Sequence, residues 1–165
     1  WVFLAKQAKD WAPHWHRCLL AAGLGLSCMW SWAAQPERPV GYQSPAKNYL
    51  QHCAGCHGID AAGSDSNLVP DMRGQIGYFT HLAEGRAFLI QVAGVAQAPL
   101  APADLADLMN WLLPEFSSQE MSDDFNPYNA DEIKQLLAKR PADLAATRAR
   151  LVEQLRGMNH HVIEY

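Results

Sequence analysis

Between positions 102 and 113 the chain reads PADLADLMNWLL, and its apolar residues Leu105, Leu108, Met109 and Leu112 recur at i, i+3, i+4 and i+7. That spacing puts them on one face of an α-helix. Pro102 suits the first turn of such a helix, and Pro114 is expected to close it. Upstream, Ser44 followed by Pro45 reads as the N-cap and first residue of a helix through AKNYLQHC, the expected partner for the 102–113 stripe. GQIGYFTHL and GRAFLIQVAG, each opened by a glycine, predict two or three helical turns apiece. Between these elements GIDAAGSDSNLVPD is dense in Gly, Ser, Asp and Asn and predicts a surface loop. Further on, Asn129 with Glu132 forms a capping-box-like pair for ADEIKQLLAKR. Pro141 is expected to start a last helix, ADLAATRARLVEQLRGM, which Gly157 closes. No useful run alternates apolar and polar residues, so the fold class is all-α.

The first 33 residues have a different character. Lys6, Lys9, His14, His16 and Arg17 precede the apolar run CLLAAGLGLSCMW and then SWAAQPERP. This is the order of a secretory signal, with Ser31 and Ala33 at the −3 and −1 places for cleavage before Ala34. Two alternatives stand beside it. The run from Cys18 to Ala34 is just short of the ~20 residues that span a bilayer, which leaves an uncleaved membrane anchor. LGLSC also offers Cys28 for lipidation, although Gly25 stands where a leucine-like residue is wanted. The organisation read from the chain is therefore a leader over 1–33, a central domain over 34–116, and a helical extension over 117–165 in the form of an added hairpin.

Charge excludes one class of partner. From Ala34 onward there are 10 Lys and Arg against 16 Asp and Glu, a surface unsuited to nucleic acid. Cysteine usage excludes another class of architecture. Cys18 and Cys28 fall in the leader, so only Cys53 and Cys56 remain beyond it, too few for a disulfide scaffold.

Those two cysteines stand in Cys53-Ala54-Gly55-Cys56-His57. Cys-x-x-Cys-His is the attachment pattern of c-type haem: two thiols one helical turn apart can add to two porphyrin vinyl groups, and the adjacent imidazole then faces the iron. A thioredoxin-type dithiol shares the Cys-x-x-Cys spacing but belongs to a βαβ context that the pattern here does not offer. A structural zinc site needs a second ligand pair, and none follows at usable spacing. The expected cofactor is one covalently bound haem c, with Cys53 and Cys56 as tethers and His57 as iron ligand.

From about Ser44 to Leu113 the chain resembles the single-haem class I cytochromes c of bacteria. The resemblance rests on CAGCHG, on VPDMRG, and on the closing helix LADLMNWLL. It implies an N-terminal helix carrying the haem motif, crossed by a C-terminal helix. It further implies that the Pro70 carbonyl accepts the proximal imidazole N–H and that Met72 packs under the haem on the histidine side. The departure lies just before the last helix, where the family places a Met-Pro pair whose sulfur is the sixth iron ligand. Here Ala98-Pro99 stands in that place, so Met72, His81, Met109 and Met121 are left as candidate distal ligands, together with no protein ligand at all. The resemblance implies a periplasmic electron carrier rather than an enzyme, with a dehydrogenase or membrane complex as donor and a redox protein as acceptor. The alternatives are an open-site haem protein that binds a small ligand, and a haem subunit docked to a redox enzyme through the 117–165 extension.

Overall fold

Ser44 does cap the first helix. Its Oγ accepts a hydrogen bond from the Lys47 backbone N–H at 3.4 Å, and Pro45 occupies the first turn of α1, Pro45–His52. This geometry comes from a computed structural model that describes residues 43–163, so the expected leader lies outside the described residues. A single turn, α2 (Ala54–His57), follows, and a 3₁₀ turn covers Ile76–His81. Then come α3 (Ala83–Gln91), the short α4 (Ala93–Ala96) and α5 (Pro102–Ser117). The extension holds α6 (Ala130–Leu137) and α7 (Leu144–Gly157). Among the described residues there is no β-strand beyond one isolated bridge, Ser64 to Val69, so the described chain is all-α. None of its helices is long and apolar enough to cross a membrane.

The stripe on α5 packs against α1 as its periodicity requires, with Leu105, Leu108, Met109 and Leu112 buried beside Tyr49. Pro114 does not end that helix. A proline removes one backbone donor and crowds the preceding turn, yet α5 continues to Ser117 because its last turn is anchored from three sides. Phe116 packs on Tyr49 and Trp111, the Phe116 carbonyl accepts from Gly74 N–H at 2.9 Å, and Ser117 Oγ accepts from Gly77 N–H at 3.0 Å. Gly77 permits that last contact, since a Cβ there would lie 2.4 Å from the Ser117 carbonyl oxygen.

The extension also departs from its expected form. α7 starts at Leu144, not at Pro141, because Asp143 supplies the cap: its Oδ1 accepts from Ala146 N–H at 2.9 Å. Asn129 caps α6 as predicted, accepting from Glu132 N–H at 3.0 Å. The Glu132 carboxylate is engaged elsewhere, in a two-point ion pair with Arg86 at 2.7 and 2.8 Å. The Arg86 guanidinium also stacks 3.9 Å over the Tyr128 ring. Asn110 of α5 clasps the backbone of Tyr128 in both directions, donating to its carbonyl at 2.9 Å and accepting from its N–H at 2.8 Å. Beyond this clasp α6 lies against α5 and α3, while α7 lies against α3 and the 3₁₀ segment. Ile133, Leu151, Val152 and Leu155 are buried in the same apolar cluster as Tyr49 and Leu105. The extension thus adds to the core that the other described residues share.

Candidate functional site

Cys53 ends α1 and its carbonyl accepts from both Cys56 N–H at 3.1 Å and His57 N–H at 3.0 Å. One helical turn therefore separates the two sulfurs, and residues three and four apart on a helix lie on the same side. Gly58, at φ +78°, turns the chain out of α2, and its carbonyl accepts from the Tyr49 hydroxyl at 2.7 Å. Burial, then the nearby Cys53 and Asp60, push the Tyr49 phenol up to about 12, so it remains a donor throughout the neutral range.

The loop that follows returns on itself. Gly63 N–H donates to the His57 carbonyl at 2.9 Å, and Met72 N–H donates to the carbonyl of Ala61, a fully buried residue, also at 2.9 Å. Gly63, at φ +71°, lies against the Val69-Pro70 backbone so closely that a Cβ would meet the Val69 oxygen at 2.3 Å. These contacts bring VPDMRG back to the motif. On this loop Asp71 is gripped by Arg73, whose Nε and Nη2 donate to it at 3.0 and 2.7 Å, and its carboxyl is held below the usual range by that hydrogen bonding.

Cys53, Cys56 and His57 all line one cleft of about 300 Å³. Pro70 and Met72 join them from the loop, and Phe79, Phe88, Leu89 and Leu112 form apolar walls. Cys53 is half-buried and Cys56 exposed, and the two are not joined in a disulfide. Burial, reinforced by Cys56, pushes the Cys53 thiol up, the reverse of the lowered value that makes a redox dithiol reactive. Among the described residues no three His, Cys, Asp or Glu side chains are grouped to hold a metal ion.

Burial lowers the His57 pKa, and the Pro70 backbone opposes this in part. The imidazole is therefore neutral at pH 7, with a lone pair to give. Its buried Nδ1 has no partner within hydrogen-bond geometry, so the Pro70 interaction is an approach that falls short of a formed bond. A buried polar atom in that condition marks a position that a small movement or a bound group must satisfy.

Of the four candidate distal ligands, only Met72 lines this cleft. His81 is turned to Glu120, with Nε2 3.1 Å from its carbonyl oxygen, and its ring lies 4.3 Å from that of His160. Met109 is buried in the core on α5, and Met121 packs half-buried against the same core. Pro99 lines a separate polar hollow with His52 and Asp104. Two cleft residues come from beyond the region of resemblance: Arg148 on α7 and Val162 in the tail. The helical period of 144–157 shows that one face is buried, but no local pattern says against what. Compared with family models and with curated proteins, the chain matches none.

Proposed function

We propose that the chain is a c-type cytochrome of the class I kind, with one haem tethered at Cys53 and Cys56 and His57 as its proximal ligand. In this reading it carries single electrons between a donor and an acceptor protein outside the cytoplasm. The observation that carries it is that all three residues of Cys-x-x-Cys-His line one apolar cleft, to which the loop adds Pro70 and Met72. The donor set suits that group: two unpaired thiols, a neutral imidazole, and a buried Nδ1 beside the Pro70 backbone. When bound there, haem supplies a one-electron iron couple. The chain's own part is to hold and insulate it. Cys53 and Cys56 fix one edge, and burial keeps His57 in its ligating form. A hydrogen bond from Nδ1 to Pro70 would set the tautomer that leaves Nε2 free. The walls of Phe79, Phe88, Leu89 and Leu112 exclude water and strengthen every charge effect inside.

A second reading, an open iron site for a small ligand, is favoured by one specific arrangement. Ala98 stands at the usual methionine place, and of the four candidate distal ligands His81, Met109 and Met121 do not line the cleft, while Met72 belongs to the loop on the His57 side by the same resemblance. Expression in a host with c-type haem maturation tests the first reading: a covalent mass increment of one haem, lost in Cys53→Ala/Cys56→Ala, is expected. An unmodified mass overturns it. Ferrous absorption spectra with and without CO then separate the two, since rapid CO binding identifies the open site and resistance to CO the electron carrier.

A further inference from the structure

The C-terminal segment supplies a cation to the cleft. Arg148 on α7 lines it, and among the described lining residues it is the one arginine or lysine. Its guanidinium Nη2 donates to the Ile163 carbonyl at 3.0 Å, which ties α7 to the tail that places Val162 in the same wall. Gln75 holds that tail from the other side, donating to the His161 carbonyl at 3.5 Å and accepting from Ile163 N–H at 2.8 Å.

The other groups lining the cleft leave this charge distinctive. His52, Cys53, Cys56 and His57 come from α1, α2 and their junction, and Asp71 comes from the loop, where Arg73 already neutralises it. The contributions of α3, α4 and α5 (Phe88, Leu89, Gly94, Val95 and Leu112) are uncharged, as are Ile76 and Phe79 of the 3₁₀ segment. α7 packs on α3 and the 3₁₀ segment, whereas α1 packs on α5 and α2 on α1. Arg148 thus approaches the cleft from elements other than those that bear the thiols. A haem carries its two carboxylates on the edge away from the vinyl groups that thiols capture. A planar guanidinium matches a carboxylate with parallel N–H donors, and does so most strongly where water is excluded.

We propose that Arg148, delivered by the C-terminal extension, is the positioning residue for a carboxylate of the tetrapyrrole bound at Cys53, Cys56 and His57. This rests on the haem reading above. An ion pair of this kind holds the carboxylate's pKa down by about one to three units, and the charge beside the iron disfavours the ferric state.

The test is the reduction potential of the mature holoprotein as a function of pH. In Arg148→Gln the inflection of that curve should move to higher pH by about one unit or more, with the low-pH and high-pH plateaus brought closer to those of an unpaired carboxylate. At neutral pH the potential should fall. Gln75→Ala frees the same tail without altering charge or adding a donor atom to the cleft, and should leave the inflection where it is. Superimposable curves for Arg148→Gln and the parent overturn the inference, as does an equal displacement in Gln75→Ala, which would assign the effect to tail position. Where Arg148→Gln does not mature, Arg148→Lys is read in its place: loss of the planar fork should raise the inflection by a smaller step, and no step overturns the inference. Absence of covalent haem from the parent chain would overturn both this inference and the reading on which it rests, whereas a haem-loaded parent with an unresponsive curve overturns this inference alone.

Discussion

Gly63→Ala is the sharpest single test of how the loop positions Pro70. A Cβ at this residue would lie 2.3 Å from the Val69 oxygen and 2.6 Å from the Pro70 carbonyl carbon and oxygen, and all three are backbone atoms with no rotamer to yield. The residue also sits at φ +71°, where an alanine costs ~1–2 kcal/mol relative to right-handed backbone. Relief of the overlap requires the 69–70 segment to move by about 1 Å, adding a penalty of the ~1–3 kcal/mol usual for overpacking. A total loss of roughly 2–5 kcal/mol follows, and at about 4 °C per kcal/mol for a chain of this size the Tm should drop by about 8 °C or more. The same movement draws Pro70 away from His57 Nδ1, so on the haem reading proposed above the imidazole signals of His57 in paramagnetic NMR of the haem-loaded protein should shift as well. Gly55→Ala is the control, since a Cβ there meets nothing within 4 Å. A Gly63→Ala protein that melts with the parent and keeps its imidazole signals would refute the argument that this glycine holds the loop.

Three further outcomes follow from other contacts. Asn110→Leu strips partners from the N–H and carbonyl of buried Tyr128 and should cost ~2–4 kcal/mol in denaturant unfolding, whereas an unchanged midpoint would show that other donors and acceptors suffice. Truncation after Arg140 removes the buried Leu151, Val152 and Leu155 along with two cleft residues, and should abolish cooperative melting and haem retention; a truncated protein with the parent spectrum would show that the extension is separable. Burial and then His81 lower the His160 pKa below its ordinary 6.5, so the folded tail favours the neutral ring; its packing is intact above pH 6.5 and is lost as pH falls through the lowered value. Protection factors of residues 158–163, taken relative to the intrinsic exchange rate at each pH, should fall on acidification in the parent and not in His160→Phe, and an equal fall in both would exclude this ring as the cause.

The elements of this fold that were legible in the sequence are those with local causes. Ser44-Pro45 and Asn129 announce their helices because caps act within one turn, and the α5 stripe declares its buried face through period alone. The missed boundaries have tertiary causes. Pro114 stays helical because Phe116 and Ser117 are anchored by α1 and by Gly74 and Gly77, which lie far away in sequence. Pro141 yields to Asp143 because a side-chain acceptor for Ala146 N–H outweighs a fixed φ two residues earlier. In the cleft, Cys53, Cys56 and His57 stand together because their spacing in the sequence puts them within one turn of helix. Arg148 and Val162 were not legible, since nothing within α7 or the tail reports which distant surface they meet.

On the haem reading proposed above, the extension bears on the absence of a methionine at position 98. Residues 44–113 number about seventy, and domains of that size are marginal without a further source of stability. In this chain Tyr128, Ile133, Leu151, Val152, Leu155 and Val162 add six buried side chains to one continuous core, each contributing ~1.5–3 kcal/mol before the cost of ordering is subtracted. That burial stabilises the core behind the cleft walls, and on the haem reading the segment ending in Ala98-Pro99 would need no ligand to hold it in place. Val92 and Val95, just before that segment, line the cleft with side chains that offer no donor atom. On the haem reading proposed above, a wall of such side chains, with Arg148 reaching the cleft from the other end of the chain, would leave the sixth iron position to whatever enters the cleft.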